Sequence, residues 1–317
     1  MTDKLPFLPG TTSLRRLPLA VALLMICATV GIPQSDSPEK KKPPQIGKML
    51  DEPGAIKGNR PWKDAWRFES PNFVIKSNIS PEATKEIAKV MEGLMYNFNK
   101  MFNANIAQKI EVLVPKSRSG FQRIRPVGPQ VRGWFSSRGR IVTYYQPEEG
   151  FSTTNVLLHE GTHMVVMLAL TRLNTPDVWA NEGTAVYFEA SEFEGTNMVI
   201  GKKPKQRLLH IKKMIETDSY LPLKQLIQKS QKAFTAKDYA QAWSLVYYLI
   251  HSHDNKWVNR FSKYLVSFRK APRMDPVRRF HLAFRTPIKK IEKDWIRYVK
   301  QMDMKDEDTV KIGNPGH

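Results

Sequence analysis

The chain has 317 residues, 41% of them hydrophobic, with 50 Lys and Arg against 30 Asp and Glu and a formal charge of +20. Length and apolar content exclude a short peptide and wholesale disorder, and provide for one large core or two small ones. The charge favours anionic partners without specifying a chemistry. One cysteine, Cys27, excludes an intramolecular disulfide and any multi-thiolate metal site, so a metal would be held by His and carboxylate.

In chain order, Arg15 and Arg16 precede the apolar run from Leu17 to Pro33. A charged start and a short apolar middle are the pattern of a signal peptide over residues 1–31, cleaved after Gly31 or retained as an N-terminal anchor. The expectation is export, to the periplasm, the cell envelope or the medium. Leu24, Met25 and Ile26 match a lipoprotein signal poorly, and Leu17-Pro18-Leu19 continues a twin-arginine signal poorly. Residues 32–60 are rich in Pro and Lys with almost no apolar periodicity, and read as a disordered basic linker. Residues 61–302 read as one domain and 303–317 as a polar tail.

Within the domain, NFVIKS (72–77) predicts a strand and PEATKEIAKVMEGLMYNFNKMF (81–102) a helix opened by Pro81. KIEVLVP (109–115) predicts a second strand. A Gly- and Pro-broken segment follows, and then VRGWFSS and RGRIVTYYQ, which read as a hairpin. From Phe151 onward the periodicity is helical, with segments starting near Thr153, Pro176, Lys205, Ala236, Asn255, Pro276 and Pro287. The fold class is therefore α+β, a small mixed N-terminal sheet with helices followed by a helical C-terminal part.

Residues 159–163 read His-Glu-Gly-Thr-His. On a helix His159 and His163 lie one turn apart on one face, so both imidazoles can reach one metal ion with Glu160 beside them as a base. Eighteen residues separate His163 from Glu182 on the next helical segment. A loop across TRLNTPD can return that carboxylate to the pair, giving two imidazoles and one carboxylate, the ligand set of a catalytic zinc site.

With Trp179-Ala180-Asn181-Glu182-Gly183, these residues resemble the gluzincin metallopeptidases, with their His-Glu-x-x-His and Trp-x-Asn-Glu-Gly motifs. The resemblance covers Asn155 to Ile250, about a third of the chain, and the order of elements is similar to that of small exported proteins of the peptidase MA-like type. It implies a zincin-like fold, Zn2+ on His159, His163 and Glu182, Glu160 as general base, and a polypeptide substrate. It also carries to Tyr239, in DYAQAWSLVYYLI, the role of a hydroxyl donor to the oxyanion; the other reading of Tyr239 is an ordinary residue of an amphipathic helix. GWFSSRGRIVTYYQ lacks the Gly-x-Met-Glu-Asn motif of the aminopeptidase branch, so the expectation is cleavage of internal bonds. An edge strand within Ile141 to Tyr145 is expected to pair with an extended substrate.

Glu189, two turns after Glu182, reads either as a carboxylate orienting a ligand histidine or as a solvated helix charge. Asn181 beside the ligand is a second residue that could fix this helix. His210, His251, His253 and His281 read as surface or packing residues. NKWVNRFSKYLVSFRK reads as a core stripe with a basic outer face and not as a base-stacking platform. The alternative function is a catalytically silent module that binds an anionic envelope or membrane surface, or a protein partner. Export and the lack of a recognisable motif argue against nucleic acid.

Overall fold

The chain divides into two units, Met1–Lys41 and Lys42–His317. A computed structural model describes residues 47–50, 60–146, 152–194, 197–252, 256–304 and 310–312. The N-terminal apolar run, most of the basic linker and His253 lie outside the described residues, and the account below concerns the second unit.

The main sheet has strands β1 (Lys48–Met49), β2 (Trp66–Glu69), β3 (Phe73–Ser77), β4 (Ile110–Val114), β5 (Gly133–Ser136) and β6 (Arg140–Thr143). Their spatial order is β1-β2-β3-β4-β6-β5. β3, β4 and β6 run parallel, while β1, β2 and β5 are antiparallel to their neighbours. The parallel step from β3 to β4 needs a long crossover, supplied by α1 (Pro81–Phe102). Ser80 caps that helix by accepting from the Ala83 amide, Pro81 sits at its first position, and Asn103 ends it in the left-handed region at φ 50°. Ile87, Met91, Leu94, Met95 and Phe98 form its buried face, as their spacing requires.

Sequence and structure agree on α1, β3, β4 and the β5–β6 hairpin. They differ over the edge strand, which was placed within Ile141 to Tyr145. β6 lies between β4 and β5, and β5 is the outer strand at this end of the sheet, because the chain lays down β5 first and turns back at Gly139 (φ 83°) to pair β6 with β4. The broken segment before the hairpin contains a helix, α2 (Arg118–Ile124), capped by Ser117, which accepts from Gly120 N.

Helices follow: α3 (Thr153–Val165), α4 (Val178–Glu189), α5 (Lys205–Glu216), α6 (Leu223–Gln228), α7 (Ala236–His251), α8 (Lys256–Ser267), α9 (Pro276–Phe284) and α10 (Ile288–Gln301). A π-helical segment, Val166–Leu170, continues α3. The helical half also contains strands β7 (Glu192–Glu194), β8 (Asn197–Ile200) and β9 (Val310–Ile312), antiparallel in the order β7-β8-β9. β1 and β9 lie in segments whose composition reads as linker and tail. Strands of two or three residues need only a neighbour's backbone groups, and carry no periodicity to read. Among the described residues no helix is long and apolar enough to cross a membrane.

Trp257, Phe261, Tyr264, Leu265 and Phe268 are buried, so the stripe on α8 is core. Trp179 of α4 packs within their reach, 5.8 Å from Phe261, 5.2 Å from Tyr264 and 6.0 Å from Phe280 between ring centres. Its indole N–H donates to Tyr264 Oη (3.1 Å), and that hydroxyl donates to Asp177, just before α4. The aromatic cluster thereby fixes where α4 begins.

The turn between β2 and β3 hangs on one buried carboxylate. Glu92 of α1 accepts from Ser70 Oγ (2.6 Å), Asn72 N (2.8 Å) and Asn72 Nδ2 (2.6 Å). Substituting Glu92→Ala leaves these donors without their acceptor and is expected to cost about 2–3 kcal/mol of stability, read from equilibrium urea unfolding. A change within error would show that water satisfies the turn equally well.

Candidate metal centre and cleft

α3 is written as an apolar helix interrupted by polar residues on one face. Leu157, Leu158, Met164 and Val165 are buried, while His159, Glu160 and His163 turn toward α4 and β5. Its start is set by a reciprocal cap in which Ser152 accepts from Asn155 N and Asn155 Oδ1 accepts from Ser152 N (3.2 Å). Asn155 Nδ2 also donates to the carbonyl of Glu189, the last residue of α4 (2.8 Å). One side chain thus ties the beginning of α3 to the end of α4.

Two glycines let these elements close. A Cβ on Gly133 of β5 would lie 2.6 Å from both Glu160 Cγ and Val156 Cγ1, so only glycine leaves space for the Glu160 carboxylate beneath the strand. A Cβ on Gly183 would lie 2.6 Å from the backbone oxygen of Ala242, where α4 crosses α7 with nothing flexible to move aside. The helix carrying Glu182 is therefore seated at a backbone-to-backbone distance.

With the elements in place, His159 Nε2 and His163 Nε2 are 3.2 Å apart, and Glu182 Oε2 lies 3.5 Å from each. His159, His163 and Glu182 form the group of ligand atoms able to hold one metal ion among the described residues. Tetrahedral zinc with bonds near 2.0–2.1 Å separates its ligand atoms by about 3.3 Å, close to all three edges of this triangle. The donor types, two imidazole nitrogens and one carboxylate oxygen, fit as well. His163 Nδ1 is buried with no hydrogen-bond partner, so that ring makes its polar interactions through Nε2, toward the cluster.

Burial alone would lower the pKa of His159, but hydrogen bonds to Glu182 and Glu189 overcome it and raise the imidazole to about 10. Against the opposing effect of burial, the two histidines hold Glu182 well below the usual carboxylate range. Glu189 Oε2 lies 2.8 Å from His159 Nδ1, and Arg207 of α5 approaches its other oxygen at 3.5 Å. The half-buried Glu189 is thus in contact with His159, and not a solvated charge. Glu160 is raised, above all by burial.

His159, Glu160 and Glu189 open on a cleft of about 470 Å3 that is also lined by Arg132, Gly133, Arg207 and Tyr239. Tyr239 is in the cleft wall, edge-on to Phe234 and beneath the Arg207 guanidinium. Burial first, then the charge of Glu182, raise its phenol to about 12, so it stays a neutral donor. Phe135 of β5 covers His163, with 5.3 Å between ring centres.

Asn181 is buried beside Glu182. His251 packs away from the cluster, 2.9 Å from Tyr187 Oη and stacked on Tyr247, and His210 and His281 are outside it too. Sequence reasoning missed Asn155, Gly133, Phe135 and Arg207. Asn155 three residues after Ser152 was the one readable signal among them, since that spacing belongs to a helix cap.

Residues 153–272 match the model of a family described as Protein of unknown function (DUF1570). The match includes every residue of the metal-ligand triangle, Glu160, Glu189 and Tyr239, and excludes β5. No curated protein matches the chain. The description assigns no chemistry, so the reading of the site rests on its own residues.

Because Glu189 orients His159, Glu189→Gln is expected to weaken zinc binding by about 10- to 100-fold while leaving the melting temperature near that of the parent. Competition against a chromophoric chelator measures it; unchanged affinity would make the contact incidental.

Proposed function

We propose that the chain is a zinc-dependent peptidase of the gluzincin type that cleaves internal peptide bonds. The observation that carries this reading is the convergence of His159, His163 and Glu182 on one point, beside an open cleft that His159 and Glu160 line. Closed structural sites bury four protein ligands, whereas three ligands beside a cleft suit catalysis. Those three residues would hold Zn2+, which when bound supplies Lewis-acid polarisation of a carbonyl oxygen and acidifies water.

The chain's own groups account for the rest. Glu160 takes a proton from the attacking water as its oxygen bonds to the carbonyl carbon. The same carboxyl then passes that proton to the leaving amine nitrogen as the C–N bond breaks. Tyr239 keeps its proton and donates a hydrogen bond to the developing oxyanion. Glu189 and Arg207 hold His159 in orientation. The outer edge of β5 has backbone groups with no partner strand among the described residues, so an extended substrate would pair there, and not on β6.

Gln130, Arg132 and Gly133, which line the cleft on the β5 side, bring no carboxylate to hold a free terminal amine. This supports cleavage of internal bonds over aminopeptidase action. Reading the N-terminal apolar run as an export signal places the activity outside the cytoplasm, on envelope or extracellular polypeptides.

Glu160→Gln keeps the three ligands and removes the base. It is expected to retain zinc while hydrolysis of an unfolded protein or a quenched fluorescent peptide library falls by about 10^2- to 10^4-fold. Equal turnover by the variant would defeat the mechanism. A parent protein that binds zinc but turns over none of these substrates would favour the catalytically silent binding module.

A further inference from the structure

The positive charge has a focus that the cleft does not use. Two adjoining cavities of about 340 and 440 Å3 lie along α8 and α9 and share Lys263 and Ser267. Arg260, Arg279 and Arg285 line the first, and Arg172, Arg269 and Lys270 the second. No carboxylate lines either, and neither shares a residue with the candidate catalytic cleft. Arg279 is buried and already paired, 3.6 Å from Asp177 and donating to Ser267 Oγ (2.9 Å) and the Ala271 carbonyl (2.6 Å), so it shapes the first cavity while Arg260, Lys263 and Arg285 supply its available charge. Arg269 donates to the Leu170 carbonyl (2.8 Å). The Arg269 guanidinium is thereby held in place on this surface.

One exposed apolar side chain stands among these cations, and a second follows one of them in the chain. Leu282, in the wall of the first cavity, is 58% exposed, and Leu173, next to Arg172, is 57% exposed; they are the most exposed large apolar residues described. Leu173 and Arg172 both have positive φ, 68° and 51°, a strained choice for two successive non-glycine residues. Bonds from Leu173 N to the Met167 carbonyl (2.8 Å) and from Asn174 Nδ2 to the Phe268 carbonyl (3.1 Å) hold the turn against that strain. The backbone thus spends stability on a turn whose leucine faces water.

We propose that the α8–α9 face is a membrane-docking surface whose lysines and arginines hold the phosphates of anionic lipids while Leu173 and Leu282 enter the acyl boundary. Anionic head groups satisfy the cations, and the interface removes the leucines from water. A soluble polyanion would use the first feature and leave the second unexplained. Single-stranded nucleic acid would call for exposed aromatic rings, and those of α8 are buried in the core; a duplex, like any soluble polyanion, would leave the leucines unexplained. This inference stands apart from the peptidase reading, since it uses none of the same residues.

The test is co-sedimentation of the full chain with vesicles of phosphatidylcholine alone or mixed with phosphatidylglycerol. Parent protein is compared with Lys263→Glu/Lys270→Glu and with Leu173→Ser/Leu282→Ser. All three carry the N-terminal apolar run, so differences among them report this face. Both variants are expected to lose about tenfold or more of the affinity for the anionic vesicles, to match the parent on neutral ones, and to melt as the parent does. Should a double variant fail to fold, Lys270→Glu and Leu282→Ser singly are expected to show the same losses in smaller measure. Binding equal to the parent in either variant would overturn the proposal. Loss in the charge variant alone, with displacement of the parent by inorganic polyphosphate, would overturn it in favour of a soluble polyanion.

Discussion

Two imidazole nitrogens and one carboxylate oxygen held within 3.2–3.5 Å of one another are the arrangement on which the rest of this structure depends. Mostly buried imidazole and carboxylate groups cost free energy unless each is paired, and a two-residue error in the meeting of α3 with α4 would leave all of them unpaired. Glu189, itself approached by Arg207, pairs the outer nitrogen of His159, and Asn155 ties the two helices together at Glu189. They couple the charge of the site to the relative position of the two helices, so that one cannot shift without the other.

The surrounding fold works as a clamp on those helices. Gly133 brings β5 down onto α3, Gly183 brings α4 onto the backbone of α7, and Trp179 pins the start of α4 through Tyr264 and Asp177. Tyr239 reaches the cleft from α7, the same helix that Gly183 touches. A single close packing of α4 on α7 therefore sets the positions of both Glu182, the proposed third ligand, and Tyr239, the proposed hydroxyl donor. The mixed sheet carries the other half of the cleft, because its antiparallel last strand ends beside the histidines.

Much of this was legible in the chain. The long amphipathic segments announce α1 and the C-terminal helices, and the His-Glu-x-x-His spacing with Glu182 picks out the residues that the fold brings together. Glu189 was readable as one of two alternatives, and its contact with His159 decides between them. What escaped was what pattern cannot encode. β2, α2, α6 and the β7–β8–β9 sheet are short elements without a full period, and the edge position of β5 follows from strand order. Gly133 looks like any other glycine until its neighbours are known, and Gly183, though part of the quoted motif, shows no reason for being glycine until the α7 backbone is beside it. Arg207 lies on a basic helix where a sequence shows no reason to choose one cation over its neighbours. The basic stripe on α8 was recognisable, but the exposed leucines beside it were not, since exposure depends on the packing of α9 and of the turn after α3.

The central claim is that His159, His163 and Glu182 hold one zinc ion. Elemental analysis of the purified chain beside its Glu182→Ala variant tests it most directly. The account predicts about one zinc per chain in the parent, and loss of that zinc in a variant that stays folded. A folded parent without zinc, or a variant that retains it fully, would contradict the account.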